Sequence, residues 1–269
     1  MSNMRTLDIK SIRFGEGMPK ICVPIIGKTK EEILNNTKTA ISDNPDLIEW
    51  RVDSWDEIFT EENEGITTLK PEWTNVLKTT FEDMKAILGE KILLFTFRSK
   101  SEGGEKELDL EMYNKLNKVA VDSDIVDLID IEGIRLGEKS AELIEYAHKR
   151  GVKVVGSKHY FDKTPEQQEM VETLMQLQYM GVDMPKLAVM PQTHGDVARL
   201  MDATMEMNAR FADRPIITMS MAEEGRVSRF MGEAFGSAVT FGIATVASAP
   251  GQINAEGLRK LLELVHSEI

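Results

Sequence analysis

Lys186 lies in Met184-Pro185-Lys186-Leu187-Ala188-Val189-Met190-Pro191, an apolar stretch with the composition of a buried strand. Burying an ammonium costs free energy unless the residue is used, and a desolvated amine is a nucleophile at neutral pH. Two further polar residues stand at the ends of similar runs. Glu132 follows Val126-Asp127-Leu128-Ile129-Asp130-Ile131, and His159 stands just beyond Val152-Lys153-Val154-Val155-Gly156-Ser157. Amine, imidazole and carboxylate on three consecutive strands can make a Schiff-base site with a general acid/base. Glu49, Arg51 and Asp53 alternate along Leu47-Ile48-Glu49-Trp50-Arg51-Val52-Asp53, and Arg98 ends Phe95-Thr96-Phe97-Arg98. Each residue alone has a plainer reading. Lys186 could snorkel, His159 could be a hydrogen-bonded loop residue, and Glu132 could cap a helix beside Gly133. Arg51 and Arg98 could merely pair with Glu49 and Asp53. No His, Cys and acid cluster has metal-ligand spacing.

Eight short apolar runs must position these groups: residues 21–26, 47–52, 92–97, 126–131, 152–157, 186–190, 216–220 and 239–244. Their near-continuous hydrophobicity predicts parallel strands buried on both faces. Between them, residues 30–42, 71–88, 108–121, 138–150, 165–180, 196–211 and 254–265 carry helical periodicity. Thr164-Pro165, Thr193 and Asn254 are helix-start signals. The seventh connection, 222–237, is broken by glycines and predicts a short helix. The pattern predicts a single (β/α)₈ TIM barrel domain over 1–269, with residues 1–17 capping its closed end. A doubly wound sheet would carry a Gly-rich phosphate turn after its first strand, and Ile26-Gly27-Lys28-Thr29 does not match one. Barrel chemistry collects at the carboxyl ends of strands, and alternation puts Lys186, Ala188 and Met190 on one face. If that face is inward, the lysine stem lifts its amine toward the open end.

The 269 residues are 42% hydrophobic, enough for one large core, and the formal net charge of −13 argues against nucleic acid or an anionic membrane as partner. The lone Cys22 excludes an intrachain disulfide and fits a reducing compartment. Apolar runs fall short of a membrane span, and the N-terminus lacks a signal-peptide stretch. A soluble cytoplasmic protein is expected.

Taken in order, these segments resemble the type I 3-dehydroquinate dehydratases from about residue 18 to the C-terminus. The resemblance also runs through Glu102-Gly103-Gly104-Glu105, Ser157-Lys158-His159, Lys163-Thr164-Pro165 and Arg214-Pro215-Ile216-Ile217-Thr218-Met219-Ser220-Met221. It continues through Val227-Ser228-Arg229, Phe235-Gly236-Ser237 and Ala247-Ser248-Ala249-Pro250-Gly251-Gln252. It implies a (β/α)₈ barrel, a homodimer, and dehydration of 3-dehydroquinate to 3-dehydroshikimate without metal or organic cofactor. It also implies Lys186 as the Schiff-base lysine, His159 as general acid/base, Glu132 as partner of that histidine, and Arg229 as carboxylate anchor. Glu49, Arg51, Arg98, Ser248 and Gln252 correspond to residues around the substrate hydroxyls and the closing loop, Met219 and Phe241 to apolar walls.

Three positions depart from the family pattern. Pro24 stands where relatives often have serine, and Lys158 and Asp162 stand where they often have asparagine and histidine. A positive charge at Lys158 is expected to disfavour protonation of the neighbouring imidazole. Two other classes compete with the dehydratase reading. One is a Schiff-base aldolase holding a sugar phosphate on Arg226 and Arg229. The other is a binding barrel without turnover.

Overall fold

Apolar strands with no polar face need cover on both sides, and a closed parallel sheet ringed by helices provides it. The computed structural model describes residues 6–60, 65–244 and 248–269. Residues 1–5 of the N-terminal extension, and Ala247 of the motif ending at Gln252, lie outside the described residues. A hairpin of β1 (Leu7–Ile9) and β2 (Ile12–Phe14) comes first. Eight strands follow: β3 (Lys20–Ile25), β4 (Leu47–Arg51), β5 (Ile92–Thr96), β6 (Leu128–Ile131), β7 (Lys153–Tyr160), β8 (Met184–Val189), β9 (Ile217–Ser220) and β10 (Val239–Ile243). The helices between them are α1 (Lys30–Ser42), α2 (Trp73–Leu88), α3 (Leu110–Val121), α4 (Gly133–Leu136), α5 (Lys139–His148), α6 (Gln167–Tyr179) and α7 (His194–Arg210). Short α8 (Val227–Phe230) and α9 (Gly232–Phe235) fill the glycine-broken seventh connection. The two-residue β11 (Ile253–Asn254) leads into α10 (Ala255–Glu268).

All eight expected strands form, and β7 runs three residues further than expected, so His159 stands on a strand rather than after one. Neighbouring strands pair in parallel in the order β11-β10-β3-β4-β5-β6-β7-β8-β9. Closure between β9 and β10 rests on the parallel bridge Ile216↔Ser237 and on side chains. Thr218 N donates to Ser237 Oγ at 3.0 Å, and Ser220 N donates to Ser228 Oγ at 2.9 Å. Hydroxyls thus satisfy edge donors that no strand reaches. Thr193 and Asn254 cap α7 and α10 as expected, Thr193 in a capping box with Asp196. Thr164 does not cap α6, which starts later after Glu166.

Alternation splits the core in two. Outward-facing Ile48, Trp50, Leu93, Phe95 and Ile129 pack under the helices, where α2 presents Trp73, Leu77, Phe81, Met84 and Leu88 on one stripe. Inward-facing Cys22, Leu47, Ile92, Leu128, Val155 and Met184 fill the barrel, and Ile9 and Phe14 of the hairpin close it from the amino-terminal end. Lys10 ties that plug in place, its Nζ donating to Lys91 O at 2.9 Å and Asp127 Oδ2 at 2.8 Å. The inner layer turns polar toward the carboxyl end, at Glu49, Thr96, Asp130, Ser157 and Lys186, all buried. Among the described residues no helix is long and apolar enough to cross a membrane.

Candidate active site

Lys186 points inward with Met184 and Ala188, and its side chain is 4% exposed. Its Nζ donates to Asp130 Oδ2 at 3.0 Å, stands 3.8 Å from Glu49 Oε1 and lies 4.6 Å from the centre of the Phe241 ring. Two carboxylates and an aromatic face compensate an ammonium that burial alone would penalise. Asp130 is fixed in turn by Arg98 Nη2 at 2.8 Å and Ser157 Oγ at 2.5 Å. Burial favours its neutral form, but Arg98 and Lys186 outweigh that and hold the carboxyl well below its usual range.

His159 opens onto the same pocket, one strand away. Its partner is Glu102, not Glu132. Glu102 Oε2 lies 3.0 Å from both the backbone N and the Nδ1 of His159. A carboxylate only accepts, so Nδ1 carries the proton and Nε2 keeps its lone pair for the pocket. Burial, reinforced by Arg98 and Lys186 and opposed by Asp130, holds the imidazole well below its ordinary pKa and therefore neutral. Phe161 stacks beside the ring, with centroids 6.4 Å apart.

Glu132 sits behind this layer. Its Oε1 accepts from Ser99 N at 2.8 Å and from Arg98 Nη1 at 3.2 Å. Burial, against the pull of Arg98 and with Glu102 adding to it, raises its pKa. It orients Arg98 rather than the imidazole. Glu102 was missed because nothing marks it as a strand residue. The legible signal is the Gly103-Gly104 pair after it. Gly103 has φ +85°, and a Cβ on Gly104 would stand 1.9 Å from Arg98 O. Only glycines make that turn, and it carries Glu102 beneath β7.

The other candidates divide by what already holds them. Arg51 pairs with Asp53 through two bonds of 2.8 Å, as its plainer reading had it, and Arg98 is engaged by Asp130 and Glu132. Glu49 accepts from Thr96 Oγ1 at 2.9 Å. Arg229 differs. It is 1% exposed, yet its partners among the described residues are backbone carbonyls, Pro250 O at 3.0 Å and Phe241 O at 3.4 Å. Its Nε has no partner among the described residues. Burial, with Arg226 nearby, lowers its pKa to about 10. A buried guanidinium that lines a pocket and has no carboxylate partner among the described residues can seat an anion. Arg226 does not join it, being bound to Glu223 at 3.2 Å on the exposed surface.

Ser248 and Gln252 cover the mouth, joined by Ser248 N to Gln252 Oε1 at 2.9 Å and Gln252 Nε2 to Ser248 Oγ at 3.1 Å. Met219 and Phe241 form apolar wall of a pocket that opens to solvent. Pro24 lies opposite Glu49 in the sheet, and Asp162 accepts from Gln192 through its backbone oxygen at 3.4 Å.

A parallel barrel that gathers a buried amine, an imidazole and a guanidinium without a carboxylate partner at the carboxyl ends of its strands has the groups that a Schiff-base enzyme with acid–base assistance requires. The family model for type I 3-dehydroquinase matches residues 21–269. The 3-dehydroquinate dehydratases of Syntrophotalea carbinolica and Clostridioides difficile are each 46% identical over 265 residues, covering 98% of this chain and 100% and 99% of theirs. A crystal structure of the Clostridium difficile type I enzyme, with covalent modified comenic acid, superposes with a TM-score of 0.90 at 44% identity, covering 99% of this chain and 100% of that one. The Geobacillus kaustophilus dehydratase reaches the same TM-score of 0.90 at 31% identity, covering 98% and 97%. The chain belongs to the type I 3-dehydroquinase family, hydro-lyases of the shikimate pathway that dehydrate 3-dehydroquinate through a Schiff base.

Proposed function

We propose that this chain dehydrates 3-dehydroquinate to 3-dehydroshikimate with Lys186 as nucleophile and His159 as the group that moves protons. Nζ passes a proton to solvent, its lone pair adds to the ketone carbon, and the carbonyl oxygen takes up a proton and leaves as water, giving an iminium. The iminium carries the same positive charge as the resting ammonium, so Asp130, 3.0 Å away, stays matched to it. His159 Nε2 takes the proton from the carbon beside the iminium, and the electron pair moves into an enamine. The enamine expels the hydroxyl as the imidazolium returns a proton to it, and water then releases product from Lys186. Arg229 clamps the substrate carboxylate. Glu49, Arg51 and Arg98 face the hydroxyls, Met219 and Phe241 bound the ring, and Ser248 and Gln252 exclude water. Glu102 takes the orienting role that the resemblance had assigned to Glu132. The observation that carries the reading is the convergence of Lys186, His159 and Arg229 on one pocket.

Purified protein should generate 3-dehydroshikimate absorbance from 3-dehydroquinate. Glu102→Gln should slow that rate more than Glu132→Gln, because only Glu102 touches the imidazole. The reverse order would return the partner role to Glu132. We further propose that the chain works as one barrel domain and assembles as a homodimer in the cytoplasm. Family membership supports the dimer, and the lone buried cysteine supports a reducing compartment. Light scattering reads the first and cell fractionation the second.

A further inference from the structure

The Glu102 carboxylate has a third partner. Its Oε2 faces His159, while its Oε1 accepts from Lys158 Nζ at 3.0 Å. Lys158 and Tyr160 lie on the face of β7 opposite His159, and the ammonium sits 5.5 Å from the Tyr160 ring. Lys158 therefore reaches the carboxylate from the outer rim, and its side chain is 25% exposed whereas that of Glu102 is 1% exposed. Arg98 Nη1 approaches Glu102 from within, at 3.7 Å. Among the described residues Lys158 does not line the pocket, so it has no direct hold on a substrate.

We propose that Lys158 is a positioning residue for the dehydration, holding one oxygen of Glu102 so that the other stays committed to Nδ1 of His159 and its charge is partly cancelled. The proposal rests on the role given to His159 above. A fully exposed ion pair would do little, but this one neutralises a buried carboxylate in contact with the imidazole. The groups facing that imidazole are Arg51 from β4, Arg98 and Glu102 beyond β5, Asp130 from β6 and Lys186 from β8. Of these, only Glu102 touches Lys158. Removing the ammonium leaves the carboxylate on Nδ1 less fully cancelled, with Arg98 alone opposing it, which favours imidazolium. The base then loses its lone pair at a higher pH.

Lys158→Met and Lys158→Arg separate this from a structural role. The measurements are kcat/KM against pH with 3-dehydroquinate, and NMR titration of the His159 ring in the free enzyme. Lys158→Met should move the acid limb and the ring titration upward by about half to one pH unit. Lys158→Arg should restore both. A limb and titration that stay in place or move down in Lys158→Met overturn the proposal, as does a uniform rate loss at every pH. Thermal melting checks that the variants fold, and Lys158→Asn replaces a Met variant that does not. The ring titration needs no turnover. Wild-type protein inactive on 3-dehydroquinate would therefore sink the dehydratase reading while the titration still decides Lys158.

Discussion

At the scale of residues, what separates the site's three arginines is their company. Arg51 and Arg98 already hold carboxylates, whereas the partners of Arg229 among the described residues are carbonyls. Arg229→Ala should therefore raise KM for 3-dehydroquinate steeply, since a desolvated charge-assisted contact is worth about 2–5 kcal/mol, or at least about 30-fold. Steady-state kinetics with an unchanged KM would pass the anchoring role to Arg51 or Arg98. Lys186, His159 and Arg229 were legible because a charged or titratable residue stands out at the end of an apolar run or within a motif. The partner of His159 was not legible. The resemblance implied Glu132, but that residue follows the end of β6 and turns to Arg98 and Ser99. The contact is set instead by a turn whose path depends on Gly103 and Gly104.

Elements explain why that turn can be tested apart from stability. The core is built by strands and helices whose apolar periods are plain, and every expected strand and long helix forms. What periodicity could not give was where β7 ends, because its last residues, Lys158 to Tyr160, are polar and only half-buried. They remain extended because β8 continues beside them, with His159 paired to Ala188 and Tyr160 to Val189. Tertiary pairing overrides local composition there. Gly104→Ala should force the segment after β5 aside, given a Cβ that would meet Arg98 O at 1.9 Å. Overpacking of this kind costs about 1–3 kcal/mol. The turnover rate should fall by much more than the melting temperature predicts, as Glu102 leaves His159. Equal activity per folded molecule would mean that the turn does not position the base.

On the scale of the molecule, the barrel separates stability from chemistry by end. The hairpin plugs the amino-terminal mouth with Phe14, fully buried among Cys22, Leu47, Ile92 and their neighbours. Phe14→Ala should cost about 3–5 kcal/mol of stability by emptying that plug. KM should be unchanged, because the pocket lies at the opposite end. Denaturant melts and kinetics on the same preparation check both halves, and a raised KM would show that the two ends are coupled. The global charge of −13 repels an anionic substrate. The proposed binding would therefore rest on the cations that line the pocket, Arg51, Arg98, Lys186 and Arg229, and not on the overall field.

The proposed dehydration depends on a covalent bond at Lys186. Borohydride reduction during turnover of 3-dehydroquinate, followed by peptide mass spectrometry, should find a stable adduct on the peptide carrying Lys186 and none in Lys186→Ala. In His159→Ala the adduct should persist while product formation falls by about 10²–10⁴-fold. Label on Lys158 or Lys153, or wild-type turnover with no trapped adduct at all, would contradict the mechanism.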